Sequence, residues 1–228
     1  LIKVIFSYVL LSLLILSSLI YLFDHTKKIF LKFSIIALLV TIPYQIYTFN
    51  LTEKIFYFSD AGGEQLYWMT NVNNGEYGEW NNSNFDVNCH LSNNICGKDI
   101  FKKNHGKIYE GALFLNSIEK DKYFKKIAFE NIRKSPLKYF RNVASNFSRM
   151  FFNIPYSYVF QRDITIGRLI PNSILLTLIF LSIPINFFYS SKYPSALILF
   201  VCISFLYLGL SLLVSAYPRM LNLILPFI

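Results

Sequence analysis

Residues 4–23 read VIFSYVLLSLLILSSLIYLF, a run without a single Asp, Glu, Lys or Arg. About 20 residues at 1.5 Å rise cross a hydrocarbon core of roughly 30 Å, so this stretch reads as a transmembrane helix. Three further charge-free runs of comparable or greater length follow, at Phe33–Thr52, Leu169–Ser191 and Tyr193–Pro218. A fifth, Met220–Ile228, stops after nine residues, and the chain opens on Leu1 instead of Met. The expectation is therefore a piece of a longer protein: a mainly α, multispan helical membrane protein with four complete spans plus a truncated fifth. The first run is too long for the h-region of a secretory signal, about 7 to 15 residues, and no small-x-small cleavage site precedes Asp24. Pro43 and Pro184 inside runs, and Pro171 near the start of one, read as kinks or helix ends, which membrane helices tolerate.

Composition agrees. Of 228 residues 54% are hydrophobic and only 15% charged, against about 25% charged in ordinary soluble domains. So apolar a chain is not disordered, and it lacks the collagen and coiled-coil periods. The net charge is +9.

Residues 53–168 are not membrane-like and are long enough for a small extramembrane domain between 1–52, expected to hold two spans, and 169–228, expected to hold two more and the start of a third. Charge divides this loop. Its first part carries Glu53, Asp60, Glu64, Glu76, Glu79 and Asp86 against Lys54 alone, whereas residues 98–168 hold 15 Lys and Arg against six acids. Ile55-Phe56-Tyr57-Phe58 and Leu66-Tyr67-Trp68 read as short strands, Ala61-Gly62-Gly63 as a turn, and Asn71–Asn84 as an Asn/Gly-rich loop.

Two helices are expected near 118–152, which makes the loop domain mixed α/β. Phe124, Ile127, Ala128 and Ile132 fall at helical spacing among Lys122, Lys125, Lys126 and Arg133. Ser135-Pro136 then places an N-cap before a Pro at the first helical position, and Leu137, Phe140, Ala144, Phe147 and Phe151 form a second stripe flanked by Lys138, Arg141 and Arg149. Basic amphipathic helices of this kind suit the surface of a lipid bilayer. The competing reading packs the stripes inside the loop domain and leaves the Lys and Arg solvated. No nucleic-acid partner is expected, because no helix-turn-helix, zinc finger or RNP-like run accompanies the charge.

Cys89 and Cys96, with His90 and His105 nearby, lack the paired spacings of a zinc site, so the expectation is a small disulfide loop and no metal, with two unlinked thiols as the alternative. Cys202 reads as a small apolar residue. No phosphate-binding Gly-rich loop, G-x-S-x-G elbow or H-E-x-x-H helix occurs, so residue chemistry alone names no reaction and no cofactor. The side faced by the loop is left open. Lys3, Lys54, Arg149, Arg162, Arg168 and Arg219 on its side outnumber Lys27, Lys28, Lys32 and Lys192, which favours the cytoplasm, while a disulfide favours an oxidising compartment.

The order of features resembles one family. Ile42-Pro43-Tyr44 through Asn50, Phe56–Ser59, Gly62-Gly63, Leu66-Tyr67-Trp68 and Asn71–Gly78 resemble the exit from a span in bacterial membrane glycosyltransferases of the dolichyl-phosphate-mannose protein mannosyltransferase type, family 39-like. The helix pair marked by Asp121, Ala128, Ile132, Pro136 and Tyr139, and the Arg219–Pro226 spacing, continue the likeness toward the C-terminal portion of such enzymes. The resemblance implies a GT-C fold in the inner membrane, multi-pass, with the long loop in the periplasm. It implies transfer of a sugar from a polyprenyl-phosphate donor to an acceptor glycan, lipid or protein at the outer face. The family's catalytic carboxylates belong to an earlier outward loop, so no catalytic residue is assigned to this chain, Asp24 included. Arg219 is the implied cation for the leaving phosphate, unless it merely snorkels to headgroups, and Glu64, Tyr67 and Asn71 are implied contacts for sugar or acceptor. The alternative function is a noncatalytic envelope-assembly or partner-binding subunit. A transporter has no support, since neither an inverted repeat nor an intramembrane charge is found.

Overall fold

The computed structural model describes residues 2–25, 28–80, 97–157, 164–189 and 194–223. These form α1 (Ile2–Phe23), α2 (Lys28–Thr52), α3 (Gly62–Met69), α4 (Gly97–Gly111), α5 (Ser117–Lys134), α6 (Pro136–Phe152), α7 (Ile164–Tyr189), α8 (Ser195–Val214) and a 3₁₀ turn at Pro218–Leu223. The chain divides into two compact units, Leu1–Asp60 with Phe187–Ser211, and Ala61–Asn186 with Leu212–Ile228.

In the first unit α1 packs on α2. Ile5, Val9, Leu13 and Ser17 recur every fourth residue along α1 and are all buried. Ser17 Oγ donates to Ser34 Oγ at 3.0 Å, while Ser34 Oγ donates to the Phe30 carbonyl at 2.9 Å. Small hydroxyl residues let apolar helices approach closely and satisfy each other without water. The rest of α2 is apolar and open: Ile29, Phe33, Ile36, Leu39, Val40, Ile46 and Tyr47 are all exposed. Thr41 and Thr52 turn their hydroxyls back onto the carbonyls of Leu38 and Thr48, so these two polar positions need no solvent.

Among the described residues two helices are long and apolar enough to cross a membrane, Lys28–Thr52 and Leu197–Val214. Only 11% and 22% of their most apolar windows are buried, the reverse of a soluble core helix. This corrects the expected four complete spans plus a truncated fifth. Ser7–Phe23 and Leu169–Ser182 are shorter apolar stretches, below the roughly 20 residues that a hydrocarbon core requires. The supposed fifth span opens as a 3₁₀ turn at Pro218–Leu223, and residues 224–228 lie outside the described residues.

The second unit corrects the mixed α/β expectation: no strand occurs among the described residues. Leu66-Tyr67-Trp68 belongs to α3, where Tyr67, Trp68 and Met69 are buried. Ile55–Phe58 is not extended, because Phe56 has φ 58° and Glu53 before it φ 55°, left-handed values that stop a strand. A short apolar run does not distinguish helix from strand; here the helix wins through its neighbours. Tyr67 and Trp68 join Phe101, Tyr109, Ala112, Phe124 and Ala128 in one aromatic core drawn from α3, α4 and α5. Each large side chain so enclosed stabilises the fold by roughly 1.5–3 kcal/mol.

Asp121 of α5 fixes the start of α3. Its Oδ1 accepts the Gly63 amide at 2.7 Å, replacing the side-chain cap that Ala61 does not supply. The approach is so close that a Cβ on Gly63 would sit 2.2 Å from the Asp121 carbonyl oxygen. The start of α5 is closed by a capping box between Asn116 and Glu119. Pro136 is the first residue of α6, but Ser135 makes no side-chain cap bond.

Candidate functional site

The segment 71–80 is irregular, so its backbone polar groups need partners from elsewhere. Several come from α6. Asn142 Nδ2 donates to the carbonyls of Met69 at 2.9 Å and Asn71 at 3.1 Å, and Lys138 Nζ donates to the Glu76 carbonyl at 2.6 Å. Gly78, at φ +77°, lets the chain pass over α6 where a Cβ would meet that of Asn142 at 2.9 Å. Burial pulls the Lys138 ammonium below its ordinary pKa, with Glu76 opposing that shift.

Inside this clamp lies a buried carboxylate–imidazole–phenol chain. His105 of α4 places Nε2 2.9 Å from Glu76 Oε2 and Nδ1 2.5 Å from the Tyr67 hydroxyl. Burial, reinforced by Glu76, pushes the Tyr67 phenol well above its usual range and keeps it neutral. The network therefore assigns Tyr67 O–H as donor to Nδ1 and Nε2–H as donor to Glu76. Asn104 and Asn73 donate to the other Glu76 oxygen at 2.6 and 3.3 Å, and Asn71 Nδ2 approaches Nε2 at 3.4 Å. Only 1% of His105 and 4% of Glu76 is exposed. A general base must reach the proton it removes, and both His105 and Glu76 are enclosed here. The arrangement locks the 71–80 segment to α3 and α4.

A second chain leads outward. Trp68 Nε1 donates to Tyr109 Oη at 3.0 Å, and Tyr109 donates to Glu64 Oε1 at 2.7 Å. Burial first, then Glu64, raises the Tyr109 pKa strongly. Glu64 is partly exposed and stands 3.9 Å from the half-exposed Lys120 ammonium.

The third cluster centres on Arg149 of α6, which is fully buried. Its Nε donates to the Pro155 carbonyl at 3.0 Å, one Nη to the Tyr77 carbonyl at 2.8 Å and the other to Asn146 Oδ1, and Glu79 Oε2 lies 3.6 Å away. The Glu79 carboxylate also accepts the Ser157 amide. Burial lowers the guanidinium pKa and Glu79 offsets that shift. Asn146 Nδ2 donates to the Leu212 carbonyl at 2.9 Å, tying the last turn of α8 to the same lock.

At the surface of this unit Tyr217 bridges two exposed groups. Its hydroxyl accepts the Trp80 amide at 3.0 Å and lies 3.3 Å from the Trp80 carbonyl, and the exposed Arg219 guanidinium sits 5.5 Å from its ring centre. Trp80 is 40% exposed, so an exposed indole and an exposed guanidinium both belong to residues that contact one phenol.

The sequence-derived site residues thus fall in two places. Glu64, Tyr67 and Asn71 come together around α4, with Tyr67 and Asn71 turned inward and Glu64 at the rim, while Arg219 stands apart beside Tyr217. Cys89 and Cys96 lie outside the described residues. Among the described residues no group of His, Cys, Asp and Glu converges to hold a metal ion. Sequence reasoning missed Glu76, His105, Asn142 and Asn146, and it took Arg149 for a flank of the apolar stripe. A signal was present: residues 142, 146 and 149 share one helical face, a polar stripe opposite the apolar one.

Searches against protein-family models, curated proteins and solved structures return no match.

Proposed function

We propose that this chain is part of a membrane glycosyltransferase that passes a sugar from a polyprenyl-phosphate donor to an acceptor glycan, lipid or protein. The observation that carries the reading is the Trp80–Tyr217–Arg219 surface, whose Tyr217 and Arg219 follow the end of the membrane-length helix at Val214 by three and five residues. A polyprenyl-phosphate sugar presents an anionic phosphate at the membrane interface with a sugar beside it. The guanidinium matches the phosphate by charge-assisted hydrogen bonds. The electron-rich indole face matches the C–H face of a sugar ring.

In this reading Arg219 stabilises the charge that grows on the phosphate as the glycosidic bond breaks. An acceptor hydroxyl attacks the anomeric carbon, its proton goes to a general base, and polyprenyl phosphate leaves. No residue of this chain is assigned that base. The reading places the protein in the inner membrane with residues 53–168 on the periplasmic side.

The test is release of polyprenyl phosphate from a radiolabelled lipid-linked sugar by membranes carrying the full protein. Arg219→Ala is expected to slow release about 10²-fold, the usual cost of removing one group that stabilises developing charge. Trp80→Ala is expected to raise KM with kcat less affected. Equal turnover in Arg219→Ala demotes that residue to an interfacial anchor. A second reading, a noncatalytic envelope-assembly subunit, is favoured by the enclosure of His105 and Glu76; absence of release by the unmodified protein would support it.

A further inference from the structure

The N-terminal half of the α6 apolar stripe faces outward, while Phe147 beyond it is half-buried and Phe151 buried. Leu137 is 73% and Phe140 64% exposed, and Ala144 one turn on is exposed as well. The opposite face, Asn142, Asn146 and Arg149, is buried and hydrogen-bonded into the unit. This inverts the amphipathic helix of a soluble domain, which buries its apolar stripe. Rotating α6 to hide Leu137 and Phe140 would tear Arg149 from its carbonyl and carboxylate partners, leaving buried charge unpaired at a cost of several kcal/mol. The outward stripe is therefore enforced from inside.

We infer that this face of α6 docks onto the headgroup–acyl boundary of an anionic lipid bilayer. Charge complementarity selects that occupant. Arg141 lies beside the stripe on the next turn, and Arg133 and Lys134 end α5 immediately before the Ser135-Pro136 corner; all three are exposed. Acids are absent from residues 131–152, so nothing on this stretch repels lipid phosphates. Apolar side chains inserted among acyl chains, with guanidinium and ammonium groups at headgroup level, are the chemistry of an interfacial helix. The same chain carries two helices of membrane length, so a bilayer is already its neighbour. The docked helix would hold residues 71–80, which Lys138 and Asn142 fasten to it, near the lipid surface.

The full chain reconstituted in vesicles tests this directly. An environment-sensitive fluorescent amino acid is placed in turn at Leu137, Phe140, Ala144 and, as a control, at the exposed Lys122 of α5. Nitroxide-bearing lipid is expected to quench the three α6 positions strongly and Lys122 weakly, with aqueous iodide giving the opposite order. Arg141→Gln is expected to lower the preference for phosphatidylglycerol over phosphatidylcholine vesicles about five-fold, the worth of one basic side chain near an anionic surface. Iodide quenching of all four positions alike would overturn the inference by placing the stripe in water. Shielding of the α6 positions from both quenchers would overturn it in favour of a protein occupant. Unchanged far-ultraviolet circular dichroism distinguishes either result from misfolding, and neither depends on sugar transfer.

Discussion

α5 and α6 are consecutive helices joined at one corner, both basic, both carrying an apolar stripe, and they fold in opposite senses. α5 buries Phe124 and Ala128 completely and leaves Lys122, Lys126, Arg133 and Lys134 in solvent. α6 buries Asn142, Asn146 and Arg149, with Met150 and Phe151 at its end, and leaves Leu137 and Phe140 outside. An aromatic core waits for the α5 stripe, whereas the irregular 71–80 segment and its unpaired backbone groups wait for the polar face of α6. Amphipathicity tells that a helix has two faces; the neighbour's needs decide which one is hidden.

The largest break in the comparison is expected at the two Phe residues. Phe124→Ala should destabilise the fold by about 3–5 kcal/mol through the cavity left in the core, whereas Phe140→Ala should move it by no more than about 0.5 kcal/mol, as an exposed position does. Thermal unfolding of the detergent-solubilised protein followed by tryptophan fluorescence measures both; comparable losses would mean that the α6 stripe is packed after all.

Arg149→Met probes the other side. It leaves Glu79 buried without its cation and several carbonyls without donors, a loss of about 3–5 kcal/mol. The double variant Arg149→Met, Glu79→Gln should recover part of that loss, and the cycle of the four proteins reports the pair's coupling. No recovery would show that the carbonyl bonds matter more than the charge.

Alkaline pH should act mainly through the core that receives α5. Tyr67 and Tyr109 are raised by burial, so above the ordinary phenol pKa of 10 the folded protein holds protons that the unfolded chain releases. Their contribution is whole below pH 10 and is lost as pH rises beyond it, with a slope near 1.4 kcal/mol per pH unit for each such tyrosine. Tyr109→Phe should flatten the decline of stability between pH 10 and 12; an unchanged slope would mean that Tyr109 ionises in the folded state as freely as in the unfolded one.

The smallest effect separates the two helix starts. Asn116→Ala should cost α5 about 1 kcal/mol by removing its capping box, while Ser135→Ala should leave α6 nearly unchanged because that hydroxyl makes no cap bond. Amide hydrogen exchange in the first turn of each helix resolves the difference.

Much of the helical layout was legible. The 3.6-residue period placed helices where α5 and α6 lie, and the Ser135-Pro136 pair located the corner between them. Leu66-Tyr67-Trp68 was not legible as helix, because three apolar residues suit either period and the choice rests on Asp121 capping Gly63 from 58 positions away. The span count was overdrawn: among the described residues only α2 and α8 carry an apolar stretch of membrane length. Of the site, Glu64, Tyr67 and Asn71 were picked out within a few residues of each other, but their common partners on α4 could not be seen. His105 reads in sequence as a lone histidine between lysines, and only folding brings Glu76 and Tyr67 to its two ring nitrogens.

The amino-acid sequence by itself determined that apolar segments would seek a lipid-like environment, that the charge would gather in residues 98–168, and that two amphipathic helices would meet at a proline. These follow from transfer free energy and backbone periodicity, which are local properties. The tertiary structure alone decided which face of each helix is hidden, that Arg149 is buried, and that Trp80, Tyr217 and Arg219 share one surface. Those outcomes depend on hydrogen-bond partners and packing across tens of residues, where burying an unsatisfied polar group costs more than exposing a phenylalanine.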